Sequence, residues 1–224
     1  MANETDRRLG VLGTGPVGQA MARRAAEAGY AVTVGARSAQ ADSLAVFVDD
    51  PGITPGSFAD AVRSASLVVN ATRGEASLAA LQSVGAAALA GKVLLDVSNE
   101  LVPVAEGFPK PAASPDNSLG LRLQQAFPQT SVVKALNTMN SQIMVRPDLI
   151  AGDHLVFLSG DDPRAKTAVR ALLRDFGWRE SQMLDLGGIE TAAAVEMMMA
   201  VWMRVTLARG SGAPRFNWAV LSAQ

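Results

Sequence analysis

The stretch LGVLGTGPVGQAMARRAAEAGYAVTVGAR, residues 9–37, decides the fold. Residues 9–12 are short and apolar, as a buried strand requires. The glycine cluster Gly13-Thr14-Gly15-Pro16-Val17-Gly18 follows at once. From Val17 to Ala28 the apolar residues fall at helical spacing: Val17, Ala20, Met21, Ala25 and Ala28. Gly29 then closes the helix and a second strand opens at Tyr30. Strand, tight glycine turn, helix and strand make the start of a parallel crossover unit.

The string fits G-x-G-x-x-G, and its context is the one that dinucleotide binding needs. Gly13 permits the turn, Gly15 lets a pyrophosphate approach the backbone, and Gly18 lets the helix pack on the strand. The helix start, with Pro16 and Val17, presents its amides and partial positive charge to phosphates. A glycine-rich turn without a ligand would carry the same letters; the strand before and the helix after favour the nucleotide loop.

The end of the second strand selects the dinucleotide. NAD sites place an acid there for the ribose 2′-hydroxyl. Here the residues are Val34-Gly35-Ala36-Arg37-Ser38, and no acid appears until Asp42. Arg37 offers a planar fork of donors suited to a 2′-phosphate. Ser38 and Thr14 add hydroxyl donors. The reading is therefore NADP.

The same alternation continues outward. Residues 67–70, 93–97, 131–136 and 154–159 read as strands; 43–48, 56–63, 75–90, 118–127 and 161–176 read as helices. Residues 101–115 are proline-rich and read as a loop. The expected fold class is α/β, a doubly wound parallel sheet of Rossmann type covered on both faces. Residues 189–209, with Met197, Met198, Met199, Trp202 and Met203, read as one long apolar helix. The expected organisation is a nucleotide-binding domain over residues 1–180 and a small C-terminal helical lobe over 181–224.

Composition narrows the chemistry. Of 224 residues 49% are hydrophobic and 18% charged, which suits a packed core. The formal net charge is −1, without the basic stripe of a nucleic-acid binder. The absence of cysteine excludes disulfides, thiolate metal sites and a cysteine nucleophile. The single histidine, His154, excludes a multi-histidine metal cage, so no metal site is expected. The polar start, residues 1–8, does not read as a secretory signal. No stretch reads as a bilayer span. A cytoplasmic protein with no membrane partner is the expectation.

Residues 13–38 resemble the NADP-binding domain of the deazaflavin-dependent NADP oxidoreductases. The resemblance continues through LVVNAT (67–72), VLLDVSNEL (93–101), VVKALNTM (132–139) and FLSGDDPRAKTAVRALLRDFGW (157–178). It implies hydride exchange between NADP and an 8-hydroxy-5-deazaflavin. It implies that Thr14, Ala36 and Arg37 hold the 2′-phosphate, with Ala36 standing where a serine is common and Ser38 able to compensate. Asn70, Ala71 and Thr72 would lie along the cofactor. Ser98, Asn99, Asn137, Thr138 and Met139 would line the space over the nicotinamide, with Asn99, Thr138 and Met139 on the substrate side. The last helices would form a homodimer contact. Arg73-Gly74 departs from the proline and aromatic residue often found there, so the surroundings of the second coenzyme are altered.

Ring-to-ring hydride transfer needs proximity and orientation and little else. The chain matches that demand. Tyr30, the only tyrosine, reads as core, and His154 as a capping or surface residue. Lys134 lies in an apolar strand, either turned into the site or placed at an edge or strand end. Asp96 ends a strand and reads as a loop cap. Met197–Met199 read as core or dimer packing rather than as a coenzyme wall. Arg7-Arg8 and Arg23-Arg24 read as solvated charge, and Phe216 and Trp218 as anchors of the tail. The expected function is an NADP-dependent oxidoreductase exchanging hydride with a deazaflavin or flavin-type coenzyme. The competing readings are an NADPH-dependent reductase of a small carbonyl or imine, which needs a proton donor, and a non-catalytic NADP sensor.

Overall fold

The computed structural model describes residues 7–105, 108–210 and 215–221. The N-terminal residues 1–6, two residues of the expected proline-rich loop, and 211–214 and 222–224 of the expected lobe lie outside them. In chain order the elements are β1 (Arg8–Leu12), α1 (Pro16–Glu27), β2 (Ala31–Ala36), β3 (Ile53–Ser57), α2 (Phe58–Ser64), β4 (Leu67–Asn70), α3 (Gly74–Val84), α4 (Ala86–Leu89) and β5 (Val93–Asp96). There follow β6 (Leu101–Val102), β7 (Lys110–Pro111), α5 (Leu119–Ala126), β8 (Ser131–Ala135), α6 (Ser141–Val145), β9 (Val156–Ser159), α7 (Pro163–Phe176), β10 (Met183–Asp185) and α8 (Ala192–Ala208).

Among the described residues, eight strands form one sheet in the order β10-β9-β8-β5-β4-β1-β2-β3. The order reverses at β1, as in a doubly wound sheet, and ligands of such sheets bind outside the strand C-termini at that reversal. The α/β Rossmann expectation is met. The sheet is not wholly parallel, however: β9 runs antiparallel to β8, while β10 returns parallel to β9. The chain reaches β9 through short α6 and an irregular turn, without a crossover helix to carry it back to the starting end.

The central strands are buried on both faces, which is why 67–70 and 93–96 are continuous apolar runs capped by one polar residue each. One core joins β1, β2, α1 and α7 around Met21, Phe47, Phe176 and Trp178. The other packs α2, α5 and the start of α8 around Leu12, Leu81, Leu94 and Leu119. Ser57 and Asp60 form a reciprocal capping box that starts α2.

Several local readings need correction. The helix expected over 43–48 is present as a 3-10 helix, Asp42–Phe47. The expected helix over 75–90 divides at Gly85, whose φ of 91° breaks it into α3 and α4. The proline-rich loop contains the two-residue pairing of β6 with β7. The edge strands β3, with Pro55, and β10 had no sequence signal, because edge positions tolerate proline and exposed residues. The segment Ile189–Ala208 is long and apolar enough, by length and composition alone, to cross a bilayer, contrary to the reading that no such run exists. Buried Glu196 interrupts its apolar face and is ion-paired inside the protein.

Candidate functional site

The turn after β1 is fixed by backbone contacts. Gly13 has a φ of 117° and its N–H donates to Gly35 O at 3.0 Å, tying the loop to the end of β2. A Cβ on Gly13 would lie 2.4 Å from Ala71 O, and one on Gly18 2.0 Å from Gly13 O. Both positions exclude side chains. Gly15 differs: a Cβ there would meet nothing within 4 Å. Its glycine keeps open the space over the N-terminus of α1, which has neither a capping side chain nor an acid in its first turn. The helix start is thus accessible to an anion, which is the fit a pyrophosphate requires.

A cleft of about 860 Å³ opens over this turn. It brings together Gly13, Thr14, Gly15, Ala36, Arg37, Ala71 and Thr72. Arg73, which the sequence marks as a departure from the family pattern, also lines it, as do Phe58, Ser43, Ala79, Ser83 and Glu75, which come from elements that carry no nucleotide signature. Arg37 is exposed on the rim, and among the described residues no carboxylate pairs with it. Ser38 is exposed and its hydroxyl donates to Gln40 Oε1 at 2.8 Å. Pro16 and Val17 form the first turn of α1.

The remaining predicted residues lie beside or behind the cleft. Asn99 lines an adjoining cavity of about 540 Å³, and Arg73 and Glu75, which pair with each other, border both spaces. Asn137 and Asn99 are paired: Asn137 Nδ2 donates to Asn99 Oδ1 at 2.9 Å, and Asn99 Nδ2 to Asn137 O at 2.7 Å. Thr138 and Met139 are buried, with Thr138 O accepting from Trp218 Nε1 at 3.1 Å. The tail anchors read from the sequence therefore dock here, Phe216 stacking on Trp202. Gly74 is required by packing, because a Cβ there would lie 2.1 Å from Asn99 O. An aromatic residue at that position would collide with the loop after β5.

Behind β4 and β5 lies a charged cluster that the sequence reading did not assemble. Lys134 is fully buried between Asp96 Oδ2 at 2.8 Å and Glu196 Oε1 at 2.9 Å, and also donates to Ser98 O. It stands near the end of β8, as one reading had it, but neither enters the cleft nor lies on an edge strand. Glu196 accepts from the N–H groups of Leu119 and Gly120 at 2.8 and 3.0 Å, so α8 caps the N-terminus of α5. Burial pushes the Asp96 carboxyl up, opposed by the Lys134 charge and added to by Glu196. Burial lowers Lys134, but the two carboxylates outweigh it and hold its pKa above the ordinary lysine value. Asp96 Oδ1 also accepts from Asn70 Nδ2 at 2.9 Å. Ser98 is buried and its hydroxyl donates to Asn70 O and Thr72 O.

Two other titratable candidates are occupied elsewhere. Tyr30 donates to Asp175 Oδ2 at 2.8 Å, and burial first, then that bond, push its pKa up to about 12. His154 is buried, with Nε2 3.0 Å from Pro147 O and Nδ1 2.8 Å from Asn217 Nδ2. That makes it a tail-docking residue, not a surface one. Among the described residues no cluster of metal-ligating side chains occurs.

Residues 8–100 match the family model described as NADP oxidoreductase, coenzyme F420-dependent. A crystal structure from Arthrobacter sp. FB24, provisionally named an F420-dependent NADP-reductase, is 40% identical, with a TM-score of 0.87 over 96% of this chain and 99% of that one. The chain belongs to the coenzyme F420-dependent NADP oxidoreductase family. By that membership it is an NADP-dependent oxidoreductase. The metalloreductase STEAP3 of Rattus norvegicus is 30% identical over 192 residues, 84% of this chain. The chain spans 36% of the length of that curated relative. An imine reductase of Streptomyces aurantiacus shares the fold, at 21% identity and a TM-score of 0.63 over 88% of this chain and 61% of its own.

Proposed function

We propose that the cleft over the glycine turn holds NADP(H) and that this chain exchanges hydride with a deazaflavin or flavin-type coenzyme. The observation that carries the reading is Arg37, exposed at the end of β2 and unpaired among the described residues, beside an open helix N-terminus. Its guanidinium binds the 2′-phosphate, and Thr14 adds a hydroxyl. The pyrophosphate lies over Gly15. Ala71 and Thr72 line the path toward the nicotinamide, while Asn99, Thr138 and Met139, backed by Ser98 and Asn137, shape its far side.

NADPH supplies the hydride when bound; the chain orients it and excludes water. Among the described residues, the charged side chains lining the main cleft are Arg37, Arg73 and Glu75, the last two paired with each other. The tyrosine and the histidine are both engaged away from it. This supports ring-to-ring transfer over reduction of a carbonyl or imine, which needs a proton donor at the hydride. We also propose a homodimer through α8, where Val201 and Leu207 are exposed beside a groove lined by Met197, Met203 and Phe108.

Fluorescence titration tests the nucleotide assignment. NADPH binds more tightly than NADH, and Arg37→Ala weakens NADPH by about 1–3 kcal/mol through a lost charge-assisted bond while leaving NADH unchanged. Equal affinities for the two dinucleotides in the unaltered protein refute the assignment. The acceptor is tested by following NADPH oxidation with a deazaflavin, a flavin and a small imine in turn.

A further inference from the structure

Buried charges stand directly behind the cleft wall. Asp96 is surrounded by donors: Lys134 Nζ at 2.8 Å on Oδ2, and Ser98 N–H at 3.2 Å and Asn70 Nδ2 at 2.9 Å on Oδ1. A carboxylate accepts only, so the amide nitrogen of Asn70 must face it and the amide oxygen must face away. That oxygen receives both the N–H and the O–H of Thr72, at 3.3 and 2.7 Å. A threonine hydroxyl has one hydrogen and two lone pairs. The hydrogen of Thr72 is thereby committed to Asn70. Ser77 Oγ, 2.9 Å away, already accepts from Asn70 Nδ2 and can occupy one Thr72 lone pair with its own hydrogen. At least one lone pair is left, on a residue that lines the cleft.

We propose that Thr72 acts toward the dinucleotide only as a hydrogen-bond acceptor, and that Asp96 and Lys134 are positioning residues that enforce this through Asn70. The ligand group it meets is an O–H or N–H donor, a ribose hydroxyl or a carboxamide, on the nicotinamide half. Strand order selects that half. Arg37 follows β2 on one side of β1, whereas Thr72 follows β4 on the other, two strand spacings or roughly 10 Å across the crevice. The proposal rests on the placement of NADP(H) in this cleft. It adds that a specificity contact is set by charges that never touch the ligand.

The test compares NADPH with 2′,5′-ADP, which carries the adenine half alone. Thr72→Val weakens NADPH roughly fivefold to tenfold and leaves 2′,5′-ADP unchanged, and Thr72→Ser restores binding. Asp96→Asn frees Asn70 to rotate and weakens NADPH similarly. Adding Asn70→Asp to Asp96→Asn moves the carboxylate one position along the chain of bonds, restores an acceptor for the Thr72 hydroxyl and recovers affinity. A structural role alone would not give recovery on a second substitution in the same buried cluster. Wild-type NADPH affinity in Thr72→Val overturns the proposal, as does an equal loss for 2′,5′-ADP. A double variant that binds no better than Asp96→Asn removes Asp96 as a positioning residue. If Arg37→Ala weakens both ligands and Thr72→Val weakens neither, only the polarity argument falls. If Arg37→Ala weakens neither ligand, the placement of the dinucleotide itself falls.

Discussion

Replacing Lys134 by methionine probes the cluster on which β5, β8 and α8 converge. Lys134 and Asp96 are 0% exposed and Glu196 2%, so both carboxylates lose their counter-ion inside the protein. Each keeps two donors: Asp96 those of Asn70 and Ser98, Glu196 the amides of Leu119 and Gly120. Removing one partner of a buried ion pair costs about 3–5 kcal/mol, and that is the loss expected at pH 7. Urea unfolding with linear extrapolation measures it. The pH dependence is diagnostic. Burial already holds the Asp96 carboxyl above its ordinary value, and loss of Lys134 removes the strongest opposing charge. A carboxyl whose folded value exceeds its unfolded one favours the folded state as it takes up a proton. The deficit of Lys134→Met therefore shrinks as pH falls from 8 toward 5, by up to about 1.4 kcal/mol per pH unit. A deficit below about 1 kcal/mol at pH 7, or one of constant size across that range, refutes the claim that Lys134 neutralises charges with no access to water.

Two glycines of the same loop separate folding from binding. Gly18→Ala drives a Cβ to 2.0 Å from Gly13 O, and loses about 1–3 kcal/mol of stability together with NADPH binding. Gly15→Ala meets nothing within 4 Å, so its thermal midpoint stays at the wild-type value while NADPH titration shows weakened binding. Asp162 caps α7 and accepts from Arg164 N–H and Ser131 Oγ, each at 2.9 Å, which hold its carboxyl below the ordinary value. Asp162→Ala therefore costs about 1 kcal/mol near neutrality. Because the folded value is depressed, that contribution is complete above the unfolded value near 3.9 and disappears as pH falls through the folded one. Thermal midpoints of the two proteins converging at low pH check it.

The elements legible in the sequence are those whose physics is local. The glycine turn, α1, α7 and the apolar central strands each carry their own periodicity, caps or backbone demand, and Arg37 stands where strand order makes its charge meaningful. Edge strand β3 contains a proline and β10 is half exposed, so neither shows a strand pattern. Within the site, Gly13 and Gly15 could be read because the turn itself requires them. Gly74 looked only like a departure, since its cause is the backbone of Asn99, remote in sequence. Lys134, Asp96 and Glu196 were invisible as a unit for the same reason. Their separation along the chain is long, and an acid inside an apolar helix does not announce what it faces. The burial of His154 is not legible locally because its partner, Asn217, lies in the tail.

Glu196 belongs to α8, which leaves the ribosome after strands β1 to β8. Until it arrives, the nascent sheet holds the ammonium group of Lys134 against a single acid, and α5 has no anion at its start. Domains consolidate as units during synthesis, and in this molecule the keystone is threaded after the strands it locks. A growing polypeptide can thus lay out β1 to β8 before the helix that closes the dry, charged seam behind them has been made.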